Sequence, residues 1–144
     1  MRAIIPALAG STWFVLDALQ VQEVMGMRPW VALPHASPAT PGVLAWRGRA
    51  VSVLDVGRFL EGGTPLRAGG SSSRTLVAEA ATCTVAIPVD AVREVHEVSA
   101  LAVRPSSATS GIATDEVLLG DVAMPLVDLE KLIARLLHDQ AEAT

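Results

Sequence analysis

Short apolar segments that alternate with polar turns dominate the hydrophobicity pattern of this chain. Two of the turns, Arg47-Gly48 and Gly120-Asp121, have the two-residue length of tight hairpins, in which glycine readily takes the positive φ that is required. Many short strands joined in this way predict an all-β barrel or sandwich. The predicted strands are Ala3–Leu8, Thr12–Leu16, Gly42–Trp46, Arg49–Leu54, Arg74–Glu79, Thr84–Pro88, Glu116–Leu119 and Val122–Leu126.

The strand pattern occurs twice. Val21–Val24 and Val92–Val95 share the sequence Val-x-Glu-Val and begin 71 residues apart. Arg49–Leu60 and Val122–Ile133 each combine a strand, an aspartate and a following apolar pattern, and they begin 73 residues apart. Two matches in the same order and at nearly the same spacing indicate a duplicated unit.

The length of 144 residues fits a single domain over 1–144, with approximate halves at 3–67 and 74–138. Between the halves, Glu61–Pro65 and Ala68–Ser73 are rich in Gly and Ser, which predicts a flexible, exposed linker.

An aspartate ends the last strand of each half and precedes apolar residues at helical spacing. After Asp55 this spacing is short, whereas after Asp128 it continues over about Leu129–His138, the one long helix predicted. A carboxylate at the start of a helix accepts hydrogen bonds from the free amides of the first turn. Both aspartates are therefore predicted to be helix N-caps.

Charge and composition exclude several function classes. Eleven Lys and Arg against fifteen Asp and Glu give a net charge of −4, and no basic cluster stands out, so we expect no nucleic-acid binding. No segment approaches the roughly 18 apolar residues of a membrane span. We expect a cytoplasmic protein without membrane insertion. The single cysteine, Cys83, lies in an apolar run and is predicted to be buried and unreactive.

Candidate catalytic and metal-binding residues are few and scattered. His35, His96 and His138 lie far apart and lack metal-ligand spacing, and neither a phosphate-binding Gly loop nor a Gly-x-Ser-x-Gly motif is present. We therefore expect no catalytic residues, no metal and no cofactor. A small enzyme that uses Cys83 or Asp55 is the alternative from a different function class.

The residues that break the repeat indicate a binding surface. Arg47 has no basic counterpart, since Leu119 stands at the corresponding turn, and the segments Trp30–Pro34 and Gly42–Gly48 hold two of the three tryptophans. Arginine beside tryptophan is a combination enriched at protein interfaces. The structural alternative is that Arg47 pairs within the chain, with Glu23 as the candidate partner, and both can hold together.

Several of these segments resemble the CheW family of bacterial chemotaxis coupling proteins. Gly42–Asp55 is similar to the family pattern Gly-Val-x-Asn-Leu-Arg-Gly, followed by an apolar strand and Asp-Leu. The supporting segments are Val21–Val24, Leu33-Pro34, Ile87–Val95 and Pro125–Leu132, so that the resemblance covers about residues 3–137.

The resemblance implies both a fold and a function. The fold would be all-β, with two SH3-like five-stranded β-barrel subdomains packed on a shared core and a C-terminal helix. The function would be that of a non-enzymatic adaptor, which couples a methyl-accepting chemotaxis-type receptor to the regulatory domain of a CheA-type histidine kinase. Such a protein would lie in the cytoplasm at receptor clusters.

The resemblance also implies site residues. The receptor-binding positions of the family fall on Val21, Gly42 and Arg47, with the receptor's helical hairpin in the groove between the subdomains. Glu23 stands at the acidic position of the pattern and is the predicted partner of Arg47, because such a pair would hold the arginine in one orientation. Trp46 is predicted to support the site.

Two departures from the family pattern leave a second adaptor function open. Ala45 and Trp46 replace the usual Asn-Leu, and Ala39–Pro41 stands where aromatic or apolar residues are common. If the 39–41 loop helps to dock the kinase, this chain would bind the kinase weakly. The alternative is therefore an accessory adaptor that binds the receptor and binds the kinase weakly or not at all.

Overall fold

The computed structural model describes residues 2–34, 36–60, 70–105, 112–113 and 115–142, with side chains described as far as residue 137. This part of the chain forms two β-sheets and one α-helix, α1, at Leu129–Glu142. Three short 3-10 helices lie at Ala18–Gln20, Val56–Phe59 and Ala100–Ala102. The strands are β1 Arg2–Ala9, β2 Thr12–Asp17, β3 Val21–Gly26, β4 Val31–Ala32, β5 Gly42–Trp46, β6 Arg49–Val53, β7 Arg74–Ala80, β8 Cys83–Val89, β9 Ala91–Val92, β10 His96–Val98, β11 Val103–Pro105, β12 Asp115–Leu119 and β13 Val122–Leu126.

Each sheet combines strands from both predicted halves. Sheet A has the order β10-β1-β2-β13-β12-β11, with β9 also paired to β1, and sheet B has the order β3-β7-β8-β6-β5-β4. The hairpins of the two halves meet through two parallel pairings, β13 with β2 and β6 with β8. The halves 3–67 and 74–138 remain a prediction about the duplicated sequence. In the structure, each sheet contains strands from both halves.

The β1–β2 and β7–β8 hairpins have side chains buried on both faces. On β7, Leu76 and Ala78 face a core shared by the two sheets, while Val77 between them faces a separate cluster inside sheet B. On β2, Phe14 faces the shared core and Val15 a cluster inside sheet A. Because both faces are covered, these strands are nearly continuous apolar runs.

The shared core lies between the two sheets and is completed by α1. Leu129, Leu132 and Ile133 of α1 pack into it with Leu76 and Ile87 of sheet B. The spacing of these helix residues places them on one face of α1. The shared core therefore joins the two sheets into one unit, so that neither sheet would bury its apolar face alone.

The predicted fold class is confirmed, with differences in detail. All eight predicted strands are present, with bounds that differ by at most one residue, and the C-terminal helix is present. The sheets contain seven and six strands in the described residues, rather than five each, because two- and three-residue strands are added at their ends. The hydrogen-bonded paths of the two sheets are open rather than closed barrels.

The helix-capping prediction is correct at Asp128 and wrong at Asp55. The Asp128 carboxylate accepts a hydrogen bond from the Lys131 amide at 3.1 Å, at the start of α1. Asp55 precedes only a 3-10 helix and makes no side-chain cap bond. Its side chain is buried and pairs with Arg58 at 3.3 Å instead.

Other predictions differ from the structure or lie outside it. Val21–Gly26 is a single strand, whereas the matching segment begins at Val92, the last residue of β9, and continues through residues 93–95, which lie between β9 and β10. Cys83 is half-buried at the edge of the shared core rather than fully buried. Most of the predicted linker, residues 61–69, lies outside the described residues, as does His35.

Candidate functional site

Glu23, Trp46 and Arg47 form a side-chain cluster, the Arg47 cluster, at the β5–β6 turn. The guanidinium of Arg47 donates to Oε1 of Glu23 at 3.2 Å, and the indole Nε1 of Trp46 donates to Oε2 of the same carboxylate at 3.3 Å. The Arg47 guanidinium also lies over the Trp46 ring, 4.7 Å from its centroid. The predicted pairing of Arg47 with Glu23 is therefore present.

The positions of the three residues follow from the local structure. Glu23 lies on β3 opposite Val77, whose side chain faces the interior of sheet B, so the carboxylate reaches the rim of that interior. Trp46 is 7% exposed and packs in the same interior cluster. Because β3 and β5 are not neighbours in the hydrogen-bonded order, the Glu23 carboxylate connects two strands that have no backbone ladder between them.

Arg47 takes a backbone conformation that is unfavourable for an arginine. Its φ is +49° and that of Gly48 is +74°, which matches the two-residue hairpin turn with positive φ at both central positions. A non-glycine residue in this region costs about 1–2 kcal/mol relative to ordinary backbone. Asn or Gly would fit this position better, so the turn residue is not explained by turn geometry.

The Arg47 side chain remains largely accessible despite its contacts. It is 67% exposed, while Glu23 is 36% exposed, so the ion pair alone contributes about 1 kcal/mol or less to stability. The guanidinium has five N–H donors in a fixed plane, and only Nη2 bonds to Glu23. The cluster thus presents an oriented cation at the protein surface, with N–H donors that bond to no other residue in the described part of the chain.

Next to the Arg47 turn, one face of the β5–β6 hairpin is uncovered. Val43 pairs with Ser52 and Ala45 with Ala50, and Ser52 also pairs with Val85 of β8. The side chains of paired residues lie on the same face of a sheet. These four side chains therefore lie on the same face of sheet B as Val85, whose side chain packs in the shared core. Ala45, Ala50 and Ser52 are exposed, and Val43 is half-buried. We call these four residues the open face.

Gly42, at the start of β5, has a steric role. A Cβ atom there would overlap the carbonyl oxygen of Val31 and would lie 2.9 Å from Cδ1 of Trp30. The missing side chain therefore lets β4 pair closely with β5. Val31, the β4 residue closest to Gly42, is 68% exposed and therefore forms the protein surface at this point.

Val21 lies apart from the Arg47 cluster in its contacts. It pairs with Ala78 and packs, half-buried, against the shared core, and a register shift separates it from Glu23 on β3. Among the described contacts, Glu23, Trp46 and Arg47 contact one another directly, while Val21 packs against the shared core and Gly42 lies close to the backbone of β4. The receptor-binding role of Val21, Gly42 and Arg47 stays a prediction.

Two features of this site were not predicted from the sequence. The hydrogen bond from Trp46 to Glu23 joins β5 to β3, two strands that are not neighbours in sheet B, and it leaves no local signal in the sequence. The open face, in contrast, has a signal in the sequence, because small or polar residues alternate with large apolar residues along β5 and β6. The small or polar residues are Ala45, Ala50 and Ser52, and the buried ones are Leu44, Trp46, Val51 and Val53.

A second charged region has the opposite sign. Arg2, Asp17, Asp115, Asp128 and Glu130 line a shallow cavity of about 240 Å³, in which Arg2 pairs with Asp17 at 3.4 Å.

Within the described residues, no group of three or more His, Cys, Asp or Glu side chains is placed to hold a metal ion. No helix in the described part of the chain has the length and apolar character needed to cross a bilayer.

Comparisons with known proteins agree with the observed fold. A family model, the CheW-like domain, matches residues 5–137. A search of curated protein sequences finds no significant match. Among solved structures, the chain is similar to the scaffolding protein TtCheW from Thermoanaerobacter tengcongensis, with a TM-score of 0.78, coverage of 90% of each chain and 20% sequence identity. At that identity the structural likeness supports the fold, while the family match extends over nearly the whole sequence.

Proposed function

Because this chain belongs to the CheW-like domain family of chemotaxis scaffold proteins, we propose that it is an adaptor that couples a methyl-accepting receptor to a CheA-type histidine kinase. It acts by binding, not by catalysis, and needs no metal or cofactor. Its receptor partner places it in the cytoplasm at receptor clusters. The observation that carries the proposal is the Arg47 cluster, which holds an exposed arginine in one orientation beside an uncovered β-face.

The receptor side of the proposal follows from shape and charge. A helix can lie close against a surface only where that surface presents small side chains. The open face presents the exposed side chains of Ala45, Ala50 and Ser52, all of which are small. Arg47 stands at the hairpin end of this face with free donors for a carboxylate or a carbonyl oxygen. A helical hairpin tip fits such a surface, with Gly42 shaping the β4 border and Val21 the border with the shared core.

The kinase side depends on other surfaces. Ala39, Thr40 and Pro41 are half-buried, and the Ala39 carbonyl accepts a hydrogen bond from the Asp55 amide at 2.8 Å. This short loop offers little apolar area to a partner. If the kinase docks on this loop, kinase binding would be weak or absent, which is the alternative of an accessory adaptor. An enzyme using Cys83 or Asp55 has less support, because Cys83 packs at the edge of the shared core and Asp55 pairs with Arg58.

The receptor role is tested by titrating the full chain with the purified cytoplasmic hairpin of a methyl-accepting receptor from the same genome. We expect Arg47→Ala to weaken binding by about tenfold, the loss expected for one charge-assisted interface contact. The matched control is Arg93→Ala, since Arg93, just after β9, also lies over a tryptophan at 4.6 Å, but that tryptophan is Trp13 on β2 of sheet A. Equal effects of the two substitutions, or no binding by the wild type, would reject the receptor role at this site.

A further inference from the structure

Trp46 contacts both charged members of the Arg47 cluster. Its Nε1 donates to Oε2 of Glu23 at 3.3 Å, while Arg47 bonds to the other oxygen, Oε1, at 3.2 Å. Its ring lies beneath the Arg47 guanidinium, 4.7 Å from centroid to Cζ. One side chain therefore orients the carboxylate and also supports the cation that the carboxylate binds.

The exposure of the three side chains shows which of them is anchored. Trp46 is 7% exposed and packs against Leu44, Val51 and the rest of the sheet B interior. Arg47, in contrast, is 67% exposed and lies on a turn with φ of +49°. An exposed ion pair of two flexible side chains restrains an arginine weakly. The rigid partner in the cluster is the tryptophan.

Resting on the proposed function, we infer that Trp46 is a positioning residue for the receptor site, which holds Arg47 in its binding orientation through the Glu23 carboxylate and through its own ring. Arg47 then binds with less loss of side-chain entropy, because much of its freedom is already lost in the free protein.

The orientation itself can be measured without any partner. A guanidinium held over an indole ring has its side-chain proton resonances shifted by the ring, and we expect these Arg47 shifts in the NMR spectrum of the free protein. Trp46→Leu should abolish them, while Trp46→Phe, which retains a ring and removes the N–H donor, should reduce them. If the Arg47 shifts are the same in wild type and Trp46→Leu, Trp46 does not position the arginine.

The consequence for binding is measured with the receptor hairpin used above. We expect Trp46→Leu to raise the Kd roughly threefold to tenfold, as expected for loss of a cation–π contact and one hydrogen bond. Trp46→Phe should have a smaller effect. The control is Trp13→Leu, which removes the other arginine–tryptophan stack and should leave the Kd unchanged. Urea unfolding of each variant separates loss of fold from loss of orientation.

A double-mutant cycle distinguishes positioning from simple packing. If Trp46 acts through Arg47, adding Trp46→Leu to Arg47→Ala should weaken receptor binding no further than Arg47→Ala does alone. Additive effects would overturn the inference and leave Trp46 as a packing residue. If the wild-type chain does not bind the hairpin, the proposed function fails, and the NMR shifts of Arg47 still decide whether Trp46 orients it. If Trp46→Leu fails to fold, the NMR shifts of Arg47 and the Kd for the hairpin are compared between the wild type and Trp46→Phe instead.

Discussion

Asp55 and Asp128 occupy equivalent places in the sequence repeat, yet their carboxylates do different things. Asp128 caps α1 by accepting the Lys131 amide at 3.1 Å. Asp55 is 6% exposed. One of its carboxylate oxygens pairs with Arg58, and the other, Oδ1, is buried and has no hydrogen-bond partner among the residues that the structure describes. The same sequence pattern therefore gives a helix cap in one half and a buried, partly unsatisfied carboxylate in the other.

The buried Asp55 carboxylate should make stability depend on pH. Burial, which outweighs the nearby Arg58, raises the pKa of Asp55 above its ordinary value of 3.8. The folded state then binds the proton more tightly than the unfolded state does. The tighter proton binding stabilises the folded state fully below pH 3.8, and this stabilisation is lost as the pH rises through the pKa of Asp55 in the folded state.

We therefore expect Asp55→Asn to gain stability relative to wild type as the pH is raised from 4 to 7. Urea unfolding at both pH values measures this difference. If the unfolding free energy of the wild type instead rises relative to that of Asp55→Asn between pH 4 and pH 7, the ion pair with Arg58 outweighs burial and the pKa of Asp55 is lowered, not raised.

The cap at Asp128 should be worth about 1 kcal/mol of unfolding free energy, because Asp128→Ala leaves first-turn amides of α1 without an acceptor. Asp128→Ser is the matched control, since serine is also a good N-cap and should retain most of the stability. Chemical denaturation at neutral pH compares the two. Equal losses in both variants would show that the cap bond is not what stabilises the start of α1.

Gly42→Ala should lower the unfolding free energy by about 1–3 kcal/mol, the usual range for overpacking. The added Cβ meets the backbone of Val31, which cannot move without breaking the β4–β5 pairing. Gly26→Ala is the control, because a Cβ at Gly26 has no neighbour within 4 Å. A Gly42→Ala protein as stable as wild type would mean that β4 has room to shift.

Much of the fold could be predicted from the sequence because its signals are local. Short apolar segments and two-residue turns located the strands, and the repeat indicated two related units. The pairing of strands across the halves, through β13–β2 and β6–β8, depends on contacts far apart in the chain. Burial of Asp55 likewise depends on the surrounding packing, whereas its sequence neighbours resemble those of Asp128.

The candidate site was predictable only in part. Opposite charges at Glu23 and Arg47 and the family pattern indicated their pairing, which is present. The part played by Trp46 was not predictable in detail, because a tryptophan in an apolar strand indicates burial and says nothing about its Nε1 partner. The open face depends on which strands sheet A leaves uncovered, and this follows from the tertiary arrangement.

The open face gives a direct test of where the receptor binds. We expect Ala45→Trp to weaken binding of the receptor hairpin at least tenfold, because the exposed ring would occupy the surface on which a helix must lie. Leu101→Trp is the control, since Leu101 is 93% exposed on the 3-10 helix beside sheet A. Calorimetric titration measures both, and an unchanged Kd for Ala45→Trp would place the receptor elsewhere.

A three-component capture experiment tests whether this chain bridges a receptor to a histidine kinase. Receptor hairpins are immobilised and the purified kinase regulatory domain is added with wild-type chain, with Arg47→Ala or with no adaptor. We expect the wild-type chain to retain the kinase domain, the sample without adaptor to retain none, and Arg47→Ala to reduce retention in proportion to its loss of receptor binding. Retention of the adaptor without the kinase domain would contradict coupling and favour the receptor-only adaptor.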